Sequence, residues 1–412
     1  MWSFAFIFRH LLPLVLILVV FTSAARGQIW SQVFGPTGGD VEAIASDRFG
    51  HIYAGTDSGA YVSTTNGASW SQINTGLANP EIFCFAVTSA GTILAGTEGG
   101  GIFRSTNFGQ TWDSSSAGLP DSSNILSLAS DGHGNLYAGH SRQGVFYSSD
   151  DGIHWVARNS GMESQSIFSL TVAPNGTVYA GTAPYIFSST DQGQHWDTSL
   201  IAGPPSEEVL ALAADSTGNI FMGTFRGSRW RLRAGSSTWE DISSFLSSGE
   251  IRTMATSGQI LFEGLFGGGI LESMNLGRNW AGWSSGLTDL KVYCLTVAPS
   301  GFVFAGTYLA EVFRTNFPLA VSSTVASKVS ISLYPQPVFG NATVVISLPS
   351  TEPVQLEISD LLGNNVATLW NGIASAGSHS VAFDASHFLS GQYFIILHTS
   401  AGIHSIPWLC LH

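Results

Sequence analysis

The 412 residues include two lysines, Lys291 and Lys328, and 15 basic residues in all against 28 acidic ones, a formal net charge of −13. So little positive charge leaves nothing to attract nucleic-acid phosphates or to grip an anionic lipid surface. Charged residues are only 10% of the chain, so the surface is polar but largely uncharged, rich in Ser, Thr and Gly. Three cysteines, Cys84, Cys294 and Cys410, cannot build a disulfide framework. No segment shows the three-to-four-residue stripe of an amphipathic helix, which leaves strands as the building material. Long apolar runs are missing too, except near the N-terminus. There MWSFAFIFRH, LLPLVLILVVF and TSAARG give a short basic lead, an apolar run and small residues. This pattern is expected of a secretory signal peptide, residues 1–27, cut between Ala24 and Gln28. The run is short for a membrane span, so the expected mature protein is exported, soluble and without a stable transmembrane anchor.

What the chain has is repetition. Trp30, Trp70, Trp112, Trp155, Trp196, Trp239 and Trp280 recur at nearly constant spacing, and so do Gly55, Gly96, Gly139, Gly181, Gly223, Gly264 and Gly306 of an AGT-like phrase. A period of about 42 residues with strand-like content points to a propeller or a solenoid. Within residues 82–120, IFCFAV, TILAGT, GIFRST and TWDSSS read as four short strands separated by TSAG, EGGG and NFGQ. The seventh repeat stops where its fourth strand is due, at Asn316, whereas the stretch from Gln28 opens with an unclaimed fourth strand, IWSQVFG. A closed ring explains both, so the expected fold is all-β: a seven-bladed propeller over residues 28–316, completed by its N-terminal strand. Cys84 and Cys294 share a column with Ala43, Ser127, Ser169, Ala211 and Thr253, which makes them small packing residues near the axis rather than a bonded pair.

A phrase bridges the third and fourth strands: STNFGQTW (105–112), SSDDGIHW (148–155), STDQGQHW (189–196), SMNLGRNW (273–280) and, more weakly, STTNGASW (63–70). Asp or Asn can bond its own turn, Gly accepts a positive φ and Trp anchors the turn. Each element serves a hairpin, and no metal is expected at Asp150, Asp151 or His195, nor any other cofactor. The phrase resembles the Asp-box (BNR) repeat of sialidases, sortilin-like receptors, xyloglucanases and photosystem II assembly factors. That resemblance implies the fold but says little about activity.

After the Ser/Val-rich linker 317–330, residues 331–412 alternate as short strands separated by Gly, Pro and Asn turns, as expected of a small Ig-like sandwich. YPQP (334–337), DLLGNNVATL (360–369), AGSHSVAFDAS (from 376) and LSGQYFIIL (389–397) resemble the C-terminal sorting domain of the type IX secretion system. The resemblance implies export to the periplasm, recognition by an outer-membrane translocon and delivery outside the cell or to its outer surface. The tail HSIPWLCLH departs from the lysine-bearing last strand of that family.

Ligands of propellers gather at one mouth of the central channel, where the loops joining strands two to three and those leading to the next blade converge. The first loops bring Asp57, Glu98, His140, Arg142, Tyr185, Phe225, Arg226, Phe266, Tyr308 and Glu311. The second bring Asp40, Glu81, Asp121, Glu163, Glu207, Glu208, Glu250 and Asp289. The candidates for ligand contact are Asp57, Glu98, His140, Arg142, Tyr185, Arg226, Phe266 and Tyr308. A sialidase would need three arginines for its substrate carboxylate, and only Arg142 and Arg226 lie in these loops. In the fifth repeat FRGSRWRLRAGSSTW has lost the turn phrase, and Arg229, Arg231 and Arg233 alternate onto one strand face. They are either an anion or partner stripe, or a solvent-facing strand paired with Glu207, Glu208 or Asp241. The expected function is non-catalytic binding of a glycan or a peptide or protein ligand. The alternative is a propeller glycoside hydrolase, which needs two carboxylates about 5 to 10 Å apart.

Overall fold

The computed structural model describes residues 28–198, 207–243, 249–309, 311–319 and, from 329 to 411, all but 335–337, 339, 349–350, 361–363, 376 and 400–401. The expected signal peptide, most of the linker, the last three residues of YPQP and the start of DLLGNNVATL lie outside the described residues. The chain divides into two compact units, Met1–Val321 and Ser322–His412.

Among the described residues of the first unit, seven four-stranded antiparallel sheets follow one another, an arrangement consistent with a β-propeller. Their first strands begin at Val41, Ile82, Ile125, Ser169, Val209, Ile251 and Val292, and the sheets are numbered 1 to 7 in that order. Sheet 2 follows the expected reading, with strands Ile82–Val87, Ile93–Thr97, Ile102–Ser105 and Asp113–Ser114. Each first strand packs on the next, and Val292–Val297 packs back on Val41–Ser46. Trp30–Val33 supplies the fourth strand of sheet 7, pairing Trp30 with Thr315 and Val33 with Val312. Just beyond the last strand of the unit, Leu319 is buried and its N–H donates to the Gly301 carbonyl at 2.7 Å.

Close approach explains the glycine column. A Cβ on Gly306 would stand 2.6 Å from Val41 Cγ1 and 2.8 Å from the Val41 carbonyl, so the contact that closes the ring leaves no room for a side chain. Gly96 meets Cys84 of its own sheet and Ile125 of the next in the same way. The small column contributes polar ties as well: Cys294 Sγ donates to the Val41 carbonyl at 3.3 Å and Ser169 Oγ to that of Val209 at 2.8 Å.

The turn phrase joins neighbouring sheets. In SSDDGIHW the Ser148 hydroxyl accepts the Gly152 N–H, and the Asp150 carboxylate accepts the His154 N–H at 2.9 Å and contacts His154 Nδ1 at 2.7 Å. Burial pushes the Asp150 carboxyl up, but the His154 backbone and ring and the Ser148 hydroxyl outweigh it and hold the group at about 2. The tryptophan then reaches back one sheet. Trp112, Trp155, Trp196 and Trp30 donate their indole N–H to the carbonyls of Ile73, Ser115, Arg158 and Trp283. In the other direction, Arg104 Nε donates to the carbonyl of Asp151, a residue at φ 60°, in the next sheet's turn. Arg314 reads Asn66, at φ 50°, likewise.

The second unit packs a three-stranded sheet (Ser330–Tyr334, Asn341–Leu348, Gly377–Asp384) on a four-stranded one (Asn365–Ala374, Glu352–Ser359, Gly391–Thr399, Gly402–Cys410). Val344, Ile346, Leu356, Ile358, Ile395, Leu397 and Trp408 form the shared core. Cys410 is buried and its Sγ donates to the Ala385 carbonyl at 3.7 Å, and Cys84, Cys294 and Cys410 form no disulfide.

Candidate functional site at the channel mouth

Seven triplets, VEA (41–43), IFC (82–84), ILS (125–127), IFS (167–169), VLA (209–211), IRT (251–253) and VYC (292–294), open the repeats with a β-branched, a variable and a small residue. In six sheets the register shifts inside the triplet, a β-bulge that sets two residues against one. The Phe168 N–H in the fourth bonds the Gly181 carbonyl, the residue that also faces Ser169. The β-branched residue is buried between sheets and the small one lines the channel. The extra residue is thereby turned into the mouth: Glu42, Phe83, Leu126, Phe168, Leu210, Arg252 and Tyr293 together line a hollow of about 340 Å³.

Charge is unevenly distributed around this ring. On sheets 1 and 2 Asp40, Glu42, Asp57, Glu81 and Glu98 form an acidic arc. Burial raises the Glu42 carboxyl to about 7, with Asp57, Glu81 and Asp40 adding repulsion and Arg252 opposing it. Glu81 also stands at about 7, first because it shares a hydrogen bond with Glu98, then through burial and the charges of Glu98 and Asp57. Asp40 is raised by burial and by Asp57 and Asp289. Sheets 6 and 7 bring two cations, Arg252 and Lys291, among the acids Glu250 and Asp289. Arg252 forms an ion pair with Glu250 and stands 5.6 Å from the ring centres of Phe266 and Tyr293. Lys291 Nζ lies 4.0 Å above Tyr308 and 5.5 Å from Phe266. These contacts make one cation–aromatic arc.

Of the candidates read from sequence, Asp57 and Glu98 enter the acidic arc, and Phe266 and Tyr308 enter the aromatic one. Arg142, Tyr185 and Arg226 are exposed, and no contact joins them to either arc among the described residues. His140 is displaced from the site. It occupies the threonine column of the AGT phrase and is buried, which lowers its pKa; its Nδ1 accepts the Arg142 N–H at 3.0 Å, as Thr56 Oγ1 accepts that of Ser58. The stripe of Arg229, Arg231 and Arg233 is divided between the core and the surface. Arg229 is 1% exposed and pairs with Glu263, 0% exposed, at 2.5 Å. Arg231 is buried against Glu240, which also holds Arg233. None of the three bonds Glu207, Glu208 or Asp241 among the described residues. Sequence reading missed Glu42, Phe83, Leu126, Phe168, Leu210, Arg252 and Tyr293, whose signal was the middle column of the triplets.

Residues 77–231 match the DUF6242 beta propeller domain, and residues 332–406 match the secretion system C-terminal sorting domain. No curated protein matches the chain. Among solved structures, the extracellular domain of a protein described as a hybrid two-component system from B. thetaiotaomicron superposes with a TM-score of 0.60 at 13% identity, over 93% of this chain and 57% of that one. PorZ, a surface component of the type IX secretion system of Porphyromonas gingivalis, gives 0.55 at 15%, over 92% and 60%. YCF48 from Cyanidioschyzon merolae gives 0.57 at 16%, over 70% and 98%; YCF48 is also known bound to a D1 peptide, in a structure that superposes at 0.55. The chain thus spans well under two thirds of the first and second of these neighbours, and at such identities the likeness is one of fold. The chain is a repeat β-propeller with a type IX C-terminal sorting domain, and it is secreted or displayed on the outer surface. No helix among the described residues is long and apolar enough to cross a membrane.

Proposed function

We propose that this exported chain is a seven-bladed Asp-box-type propeller, closed by its N-terminal strand over residues 28–316, that captures a peptide or protein segment at the channel mouth without turning it over. A linker, 317–330, joins it to an Ig-like sandwich, 331–412, which a type IX translocon reads during export. The observation that carries the binding site is the split ring. An acidic arc suits a lysine, arginine or amino terminus, and the adjoining cation–aromatic arc suits an aromatic or acidic side chain. Both arcs border the apolar floor made by Phe83, Leu126, Phe168 and Leu210. A neutral glycan would leave the charge separation unused. The hydrolase alternative would draw its two carboxylates, roughly 5 to 10 Å apart, from the same acidic arc.

Peptide and glycan arrays probed with the full mature chain test this reading. A peptide carrying lysine beside an aromatic residue is expected among the captured ligands. Glu81→Gln and Glu98→Gln should each weaken it about tenfold, roughly 1.4 kcal/mol, while Arg142→Ala leaves it unchanged. Capture of glycans alone, with sugar released and that release lost in Glu98→Gln, would establish the hydrolase instead.

A further inference from the structure

The fifth repeat lost its turn phrase, and a crevice of about 240 Å³ opens beside the strand Arg229–Leu232, between sheets 5 and 6. Arg231, Arg233 and Arg278 line it, together with Asn219 and Gln259. Three of the chain's 15 basic residues thus share one cavity on a protein of net charge −13. Glu240 is the acid that contacts them, meeting Arg231 NH2 at 2.5 Å and Arg233 Nε at 2.6 Å. Even with Glu240 ionised, the cluster keeps an excess of two positive charges. Arg278, at the tip of the sheet 6 turn, is exposed and its side chain has no hydrogen-bond or ion-pair partner among the described residues.

Arg231 gives a second, independent sign. Only 4% exposed, it spends NH1 on the Leu276 carbonyl at 2.7 Å and NH2 on Glu240, and its covered Nε has no hydrogen-bond partner. A buried guanidinium with an unused N–H is an electrostatically incomplete arrangement. The equivalent Arg104 meets both the carbonyl and the carboxylate of Asp151, whereas Arg314, whose covered Nε is likewise unpartnered, meets the Asn66 carbonyl.

We propose that this crevice is an oxyanion site that takes a sulfate or phosphate group, held by the forked N–H donors of Arg278 and by the edge of Arg233 that its Nε and NH2 contacts with Glu240 leave over, with Arg231 as the fixed positive floor and the Asn219 and Gln259 side chains at its edge. Guanidinium groups match tetrahedral oxyanions by paired, charge-assisted hydrogen bonds, and three converging on one crevice exceed what one glutamate neutralises. The site is separate from the channel mouth and does not depend on it.

Isothermal titration of the full mature chain with sodium sulfate and sodium phosphate, against sodium chloride at matched ionic strength, tests the proposal. A sulfated monosaccharide in a further arm separates ester-borne from free anion. Saturable binding is expected for sulfate or phosphate and not for chloride, with at least a tenfold loss in Arg278→Ala and in Arg233→Ala and none in Glu81→Gln. Tighter binding of the sugar ester than of free sulfate would assign an ester-bearing ligand, and the reverse order the free ion. Absence of saturable binding would overturn the proposal. So would binding that survives both arginine substitutions, because Arg278 is exposed and its loss leaves the fold intact.

Discussion

Arg229→Ile is expected to lower the stability of the propeller by about 3–5 kcal/mol, while Arg229→Ile combined with Glu263→Ala recovers most of that loss. Both side chains are buried, Arg229 Nε lies 2.8 and 2.7 Å from the two Glu263 oxygens, and Arg229 NH1 donates to the Gly227 carbonyl at 2.8 Å. Burial raises the Glu263 pKa and the Arg229 guanidinium opposes that rise. Removing Arg229 alone strands a carboxyl in the core between sheets 5 and 6, where it must take up a proton or unfold its surroundings. Removing both restores the arrangement of the other sheets, in which Arg229's column holds Ala60, Ile102, Val145, Ile186, Ile270 and Val312, and Glu263's holds Ala54, Ala95, Ala138, Ala180, Met222 and Ala305. Urea unfolding of the two single variants and the double variant measures this. A double variant no more stable than Arg229→Ile would show that the pair is not the coupled unit described.

Trp30→Ala is expected to cost a similar 3–5 kcal/mol, the range for emptying a buried tryptophan site. Trp30 is fully buried, its ring meets that of Trp283 edge-on at 5.0 Å, and its indole N–H donates to the Trp283 carbonyl at 2.6 Å. It belongs to the strand that closes sheet 7, and its backbone N–H and that of Ile29 both reach the Ser285 carbonyl of sheet 6. Amide hydrogen exchange should therefore report more than a local cavity. Faster exchange at Val312–Thr315, the partner strand, is expected in the variant, with the inner strands of sheets 3 and 4 little affected. Equal acceleration around the whole ring, or none at Val312–Thr315, would contradict the closing role.

Repetition made the ring legible, because a strand missing after Asn316 and an extra one at Trp30 are visible by counting. The turn phrase was legible as a hairpin and not as a brace between sheets, since the carbonyls of Ser115 or Arg158 that receive the indole N–H carry no side-chain signature. The mouth was read only halfway. Loop register placed Asp57 and Glu98 beside Asp40 and Glu81, but it also placed His140 there, when that ring does the work of a turn threonine. The bulge residues escaped notice because Phe83, Leu126, Phe168 and Leu210 look like ordinary members of apolar strands. Glu42 and Arg252 were the anomalies in that column, as Glu263 was the anomaly that answers Arg229 in the neighbouring repeat. An odd residue in one repeat acquires meaning when its counterpart is sought one sheet away.

The charge-split mouth is tested most directly by titrating one lysine-bearing peptide into the full chain across roughly pH 5.5 to 8.5. Glu42 and Glu81 are both held near 7, so the acidic arc gains negative charge as the pH rises through neutrality. Affinity for the peptide should increase over that interval, by about tenfold, and the increase should vanish in Glu42→Gln/Glu81→Gln. An affinity that stays flat or falls as the pH rises would contradict a cation-accepting mouth.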